Sequence, residues 1–266
     1  NSYFRAGLRA DSKFIINRNM KTKCLFLGWA IMAVSAGTAH AQQAAHEVTV
    51  AGEMRNVMWK GELEGTIRLD TISQRADLFG LGPVEFLSGE ILILDGVAYK
   101  STVDTDSTMT VEQTYEMAAP FFGYANVGSW SARPLPDSVQ TLGQLELYLN
   151  GITQSSPRPF LFRLSGTVEE ATIHVVNLPE GSEVRSPAQA HVGQRDYQLW
   201  GEPAEMLGFF STDHKAIFTH HDTYLHVHLI TSDRRQMGHL DAVRFQKGTM
   251  TLYLPASEGV EGGRGR

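Results

Sequence analysis

Between residues 160 and 254 the apolar residues come in short runs divided by polar connections: Phe160 to Leu164, Ala171 to Val176, Met206 to Phe210, Ala216 to Thr219, Tyr224 to Ile230, Met237 to Phe245 and Met250 to Leu254. Seven strand-like runs in succession imply an antiparallel sheet that curls or closes on itself. The preceding half reads similarly. Glu47 to Val50 and Thr66 to Leu69 alternate apolar with polar, and Glu90 to Leu94 is an aliphatic run ended by the turn dipeptide Asp95-Gly96, after which Val97 to Ser101 resumes as its partner. One helix is expected, with Pro136-Asp137-Ser138 as its cap, Val139, Leu142, Leu145 and Leu149 at helical spacing, and Gly151 at its end. The class is therefore α+β and predominantly β. The Pro-rich stretch Arg133 to Pro136 is the expected boundary between an N-terminal β-rich domain, residues 42–135, and a C-terminal domain, residues 136–255. Repeated Gly and charges predict a disordered tail over residues 256–266.

The leader bears on everything else. Cys24 to Gly37 is an apolar run of 14 residues, preceded by Met20-Lys21-Thr22-Lys23 and followed by Ala39-His40-Ala41. That is the layout of a secretory signal peptide, and it is shorter than the roughly 20 residues a membrane span needs. Residues 1–19 read as upstream sequence before a start at Met20, so the expected product is exported, begins at Gln42 and has no membrane segment after cleavage. Cys24 opens the apolar run instead of standing at the cut, which argues against a lipid anchor. The whole chain carries 23 Lys and Arg against 29 Asp and Glu, net −6. Without residues 1–41, 17 of those basic and 28 of those acidic residues remain, net −11. An acidic surface leaves nothing to neutralise phosphates and excludes nucleic acid as a partner. A single cysteine, itself in the leader, excludes an intramolecular disulfide and a thiolate metal site, so any metal must be held by His and carboxylates.

His214, His220, His221, His226, His228 and His239 fall within 26 positions. In Tyr224-Leu225-His226-Val227-His228-Leu229-Ile230 alternate side chains share a face of a strand, so His226 and His228 point one way while Leu225, Val227 and Leu229 enter the core. If Asp233 and Arg234 form the tip of the following hairpin, His228 faces His239, with Cβ atoms about 4.5 to 5.5 Å apart. Three neutral imidazoles with one position open is the catalytic form of a zinc site, and Gly238 leaves room beside His239. Asp213-His214 and His221-Asp222 are candidates for outer support of such a site or for loop residues.

At this hairpin the sequence resembles the α-acetolactate decarboxylase family. The motif runs Leu207-Gly208-Phe209-Phe210-Ser211-Thr212, then Tyr224-Leu225-His226-Val227-His228, then Arg234 and Gly238-His239. Two further blocks agree in order: Phe79-Gly80-Leu81-Gly82 through Leu87-Ser88-Gly89-Glu90 and Leu94-Asp95-Gly96, and Phe162-Arg163-Leu164-Ser165-Gly166-Thr167. The resemblance spans about residues 47–245. It implies two β-rich domains in a homodimer, a mixed or antiparallel sheet followed by a barrel-like antiparallel sheet bearing the metal. It also implies Zn2+ at His226, His228 and His239, with Glu90 as the neighbouring carboxylate. The implied activity is decarboxylation of 2-acetolactate, a small hydroxy-keto acid, to acetoin and CO2. Glu90, or a water it orients, would protonate the carbon that loses CO2. Two departures stand out. His174 occupies the position of the family's active-site arginine, eleven residues beyond Arg163, and would serve as carboxylate binder or proton relay. The family's second glutamate belongs to a C-terminal extension, for which Glu258 and Glu261 are the stand-ins. The alternative is an exported metal- or ligand-binding protein on the same fold, inactive or acting on another hydroxy-keto acid.

Overall fold

The computed structural model describes residues 47–214, 217 and 223–256. The expected leader, the tail with Glu258 and Glu261, residues His220, His221 and Asp222, and the expected strand at 216–219 apart from Ile217 lie outside the described residues. In chain order the first half comprises β1 (Thr49–Ala51), α1 (Met54–Lys60), β2 (Ile67–Arg68), β3 (Leu78–Pro83), β4 (Glu90–Leu94), β5 (Val97–Val103), β6 (Met109–Gln113), β7 (Ala118–Ala119), β8 (Phe122–Asn126) and β9 (Trp130–Pro134). The second comprises α2 (Leu142–Ile152), β10 (Phe160–Val175), α3 (Pro187–Ala190), β11 (Arg195–Phe210), β12 (Leu225–Thr231), β13 (Met237–Phe245) and β14 (Thr251–Pro255).

The first sheet runs β1-β8-β3-β4-β5-β6 and the second β11-β12-β13-β10-β14-β9, with β2 and β7 a separate pair. The predominantly β, α+β class holds. Every pairing among the described strands is antiparallel, so the sheets are antiparallel and not mixed. The barrel is a partial ring: β10 also pairs with β11, bringing the sheet round on itself, but β12 and β13 share only three residue pairs. Two expected runs, Phe160 to Leu164 and Ala171 to Val176, are parts of one 16-residue strand. Gly166, at φ +151, lets it continue past the close approach of Met250, whose Sδ lies 2.6 Å from where a Cβ would be. The strand ending at Phe210 also begins earlier than expected, at Arg195, because its first half buries only alternate residues such as Tyr197 and Leu199.

The expected β4–β5 hairpin forms, pairing Leu94 with Val97 across Asp95 and Gly96, both at positive φ as a two-residue turn requires. β4 is buried throughout because both its faces are covered. Ile91 and Ile93 pack with Leu69, Ala119 and Phe122, while Leu92 and Leu94 pack with Leu161, Leu207, Phe209 and Ile230 of the second sheet. Alternation then puts Glu90 on the face that meets the second sheet.

The helix starts later than Pro136-Asp137-Ser138. Thr141 is its N-cap, its side chain accepting from the Gln144 amide, while the Gln144 side chain accepts from the Gln140 amide at 2.8 Å. Asp137 is engaged elsewhere, accepting from the Gly248 amide at 2.8 Å, and Val139 packs into the core ahead of the helix. The helix runs through Gly151 to a cap at Thr153. Among the described residues no helix is long and apolar enough to cross a membrane.

Candidate active site and metal centre

The hairpin of β12 and β13 has the register a two-residue tip at Asp233 and Arg234 requires: His228 pairs with His239, Leu229 with Gly238 and Ile230 with Met237. Arg234 takes φ +63 at the turn. β10 lies on the other side of β13 and pairs His174 with His239, so three adjacent strands each bring a histidine to one row. His226 stands two residues from His228 on the same face. The ring centroids are 5.1 Å apart for His226 and His228, 5.0 Å for His226 and His239, and 5.6 Å for His228 and His239. One ligand nitrogen from each of these three lies within 4.8 Å of the others.

His226 and His228 are buried and His239 nearly so, with 12% of its side chain exposed. Burial lowers the His228 pKa well below its ordinary value, and His226 and His174 push it the same way, so the ring is neutral and able to ligate. Neither of its buried nitrogens makes a well-formed hydrogen bond, although the Ile91 backbone lies close enough to one of them to oppose the lowering. A buried imidazole in that state leaves polar atoms unsatisfied unless something else engages them. A divalent cation fits that requirement, and the all-nitrogen donor set suits zinc. Gly238 has a different role from making space for an ion. A Cβ there would come within 2.3 Å of the His174 carbonyl oxygen, so the glycine permits the close approach of β13 to β10.

Glu90, 3% exposed at the start of β4, projects into this row from the first sheet. Its Oε2 lies 3.6 Å from His228 Nε2 and its Oε1 3.9 Å from His174 Nε2, and the Val176 amide donates to Oε1 at 3.4 Å. Burial pushes its carboxyl up to about 8, against the opposing influence of His174 and the Val176 amide. Such a carboxyl retains its proton near neutral pH, and a bound cation would draw the value down again. His174 is buried, which lowers its pKa, but the hydrogen bond to Asp241 and the charges of Asp241 and Glu90 outweigh that and raise it. The Glu90 to His174 and His228 distances put the expected carboxylate, the arginine substitute and a metal-ligand candidate in one cluster.

The cluster opens into a narrow cleft walled by Met54 and Met58 of α1 and by Leu87, Phe121 and Val176. No lysine or arginine is among the described residues lining it. Arg163 is not at the site: its guanidinium lies over the rings of Phe79, Trp130 and Tyr253 and pairs with Glu205 at 3.2 Å. His214 Nδ1 lies 2.8 Å from Ser211 Oγ.

Three contributions escaped the sequence reading. Asp241 contacts His174 through a β-bulge, which no local spacing signals. His191 lines the cleft from just after α3, and the methionines of α1 wall it; neither had a local motif to mark it.

Comparison with known proteins agrees with this fold. No curated protein matches the sequence. The chain is similar in fold to the acetolactate decarboxylase of Bacillus subtilis subspecies spizizenii, with TM-score 0.64, 20% identity, and coverage of 79% of this chain and 86% of the other. It is equally similar to that of Bacillus subtilis strain 168, with TM-score 0.63, 18% identity and the same coverage. A protein of unknown function from Staphylococcus aureus, described as similar to alpha-acetolactate decarboxylase, gives TM-score 0.64 at 15% identity over the same shares. At these identities the structures establish the fold. The family model for alpha-acetolactate decarboxylase matches residues 52–257, a span that takes in every described strand after β1, Glu90 and the three clustered histidines, and the chain belongs to that family.

Proposed function

We propose that the protein is a zinc-dependent carboxy-lyase converting 2-acetolactate to acetoin and CO2. The observation that carries this reading is the buried carboxyl of Glu90 beside His228, a neutral imidazole with no well-formed hydrogen bond, next to a cleft lined by His226 and His239. His226, His228 and His239 would hold the ion, which when bound supplies the Lewis acidity that draws electrons toward the substrate's ketone oxygen. The C–C bond to the carboxylate breaks, CO2 leaves, and the electron pair remains on the carbon that carried it. Glu90, in its protonated form, delivers a proton from a carboxyl oxygen inside the cleft to that carbon and regains one from solvent. Leu87, Phe121 and the methionines of α1 exclude bulk water from the reacting carbon. His174 would bind the substrate carboxylate or relay a proton where the family has its arginine.

The leader motif supports export, with the mature chain starting at Gln42, and the family resemblance supports a homodimer of chains divided near Arg133 to Pro136. Intact mass and sedimentation of the exported protein test the first two. A second reading, a metal- or ligand-binding protein on this fold, draws on the absence of Lys and Arg from the described cleft lining. CO2 release from 2-acetolactate separates them. Zinc-loaded wild type should release CO2, and Glu90→Gln should be slower by about 10²- to 10⁴-fold with its zinc retained, as expected for loss of a general acid. A wild type holding one zinc per chain and releasing no CO2 would overturn the decarboxylase reading in favour of the second.

A further inference from the structure

His174 is held on three sides. Its Nδ1 lies 2.8 Å from each carboxylate oxygen of Asp241. One face stacks on His239, with centroids 4.7 Å apart and planes at 27°, and His191 meets it nearly perpendicularly at 5.9 Å. His191 is itself anchored, its Nδ1 donating to the Pro187 carbonyl at 2.8 Å. The remaining nitrogen of His174, Nε2, points toward Glu90 in the wall of the cleft.

Asp241 reaches this ring through an irregularity in β13. β10 pairs Thr172 with Ala242 and Ile173 with Leu240, so Asp241 is the extra residue of a β-bulge. Bulges re-aim side chains and are common beside active sites. Here the re-aimed carboxylate meets a histidine on the neighbouring strand at 2.8 Å, while its Oδ1 stays 3.9 Å from Nε2 of His239, too far for a hydrogen bond. The Asp241 side chain is 36% exposed, and a pair that wet contributes little to stability. What the contact does supply is orientation.

We propose that Asp241 is a positioning residue, fixing His174 with a hydrogen on Nδ1 and Nε2 turned toward Glu90 and the substrate. A carboxylate can only accept, so Nδ1 carries the hydrogen whether the ring is neutral or cationic. Which nitrogen of a histidine faces a reaction is set by the hydrogen bond the other one makes. An ordinary arginine at this position would need no such partner, because its fork presents donors in every useful direction. A histidine presents one nitrogen at a time and must be aimed. The part this plays in decarboxylation rests on the proposed function; the aiming itself does not.

The test is nitrogen-detected NMR of the ¹⁵N-labelled full chain, metal-free and zinc-loaded, reading the two ring nitrogens of His174. Wild type should show the hydrogen on Nδ1 in both forms. An amide can donate as well as accept, so Asp241→Asn should move His174 toward the Nε2–H tautomer while zinc content stays at the wild-type level. Turnover in Asp241→Asn should fall about ten- to hundredfold in kcat with a smaller change in KM, the scale typical of lost outer-shell support. Asp241→Glu, which keeps a carboxylate, should restore the Nδ1–H signature. A wild-type His174 protonated only on Nε2 overturns the proposal without recourse to any variant. An unchanged tautomer in Asp241→Asn overturns it too, as does a shifted tautomer with undiminished kcat. If wild type proves inert toward 2-acetolactate while the tautomer results hold, the positioning stands and the decarboxylase reading falls.

Discussion

On one face of β12, Leu225, Val227 and Leu229 enter the core of the second sheet; on the other, His226 and His228 are removed from water to the same degree. The depth of burial is alike and the energetics are opposite. Each aliphatic side chain gains about 1.5 to 3 kcal/mol by leaving water. An imidazole buried without partners forfeits about 1 to 3 kcal/mol for the hydrogen bonds it no longer makes with solvent. His228, with neither ring nitrogen hydrogen-bonded, is in that position. One strand therefore serves folding on one side and carries an energetic deficit on the other. The difference teaches that burial alone does not mark a residue as core, and that the polar atoms left without partners mark the face built for a ligand.

Substitutions on the two faces should separate these effects. The largest is expected on the apolar side: Leu229→Ala should lower unfolding stability by about 2 to 5 kcal/mol in denaturant titrations, the range for a truncated buried leucine. Its zinc per folded chain should match wild type. On the opposite face, zinc at a hundredfold excess over its Kd should stabilise wild type by about 2.7 kcal/mol. In His226→Ala most of that increment should vanish, because ligand number governs affinity. The smallest effect has the opposite sign. His228→Leu should raise the stability of the metal-free protein by about 1 to 3 kcal/mol, since an apolar side chain of similar size removes two unsatisfied atoms. A metal-free His228→Leu protein less stable than metal-free wild type would mean that the histidine face is ordinary core, and the contrast between the faces would collapse.

The parts of the site that could be read from the sequence are those whose geometry is local. A two-residue tip sets the register of β12 and β13, and register sets which histidines face each other, so the meeting of His228 and His239 follows from a short stretch of chain. The approach of Glu90 does not. It depends on the packing of the first sheet against the second through Phe79, Leu92, Leu207 and Phe209, contacts that no spacing within β4 encodes; the family resemblance singled the residue out. Asp241 was hidden for another reason, since a β-bulge displaces one residue and breaks the strict alternation from which faces are read. The start of α2 was misplaced because two caps competed. Asp137 and Ser138 have capping chemistry, but Thr141 with Gln144 three residues on forms the better reciprocal arrangement and takes the helix start. Of the two long strands, β10 shows in the sequence as two runs and β11 only by its second half, because the remaining stretches bury only every second side chain or none.

The central claim is that His226, His228 and His239 form one metal site, and metal analysis by mass spectrometry on wild type and His239→Ala, purified side by side after zinc loading and desalting, tests it most directly. His239 belongs to a different strand from the other two, so its loss leaves the His226-Val227-His228 segment intact and removes only the cross-strand ligand. Wild type should hold one zinc per chain and His239→Ala only a minor fraction of that, with both proteins folded by circular dichroism. Equal zinc in the two would contradict it, because the ion would then be held without the residue that the hairpin register brings opposite His228.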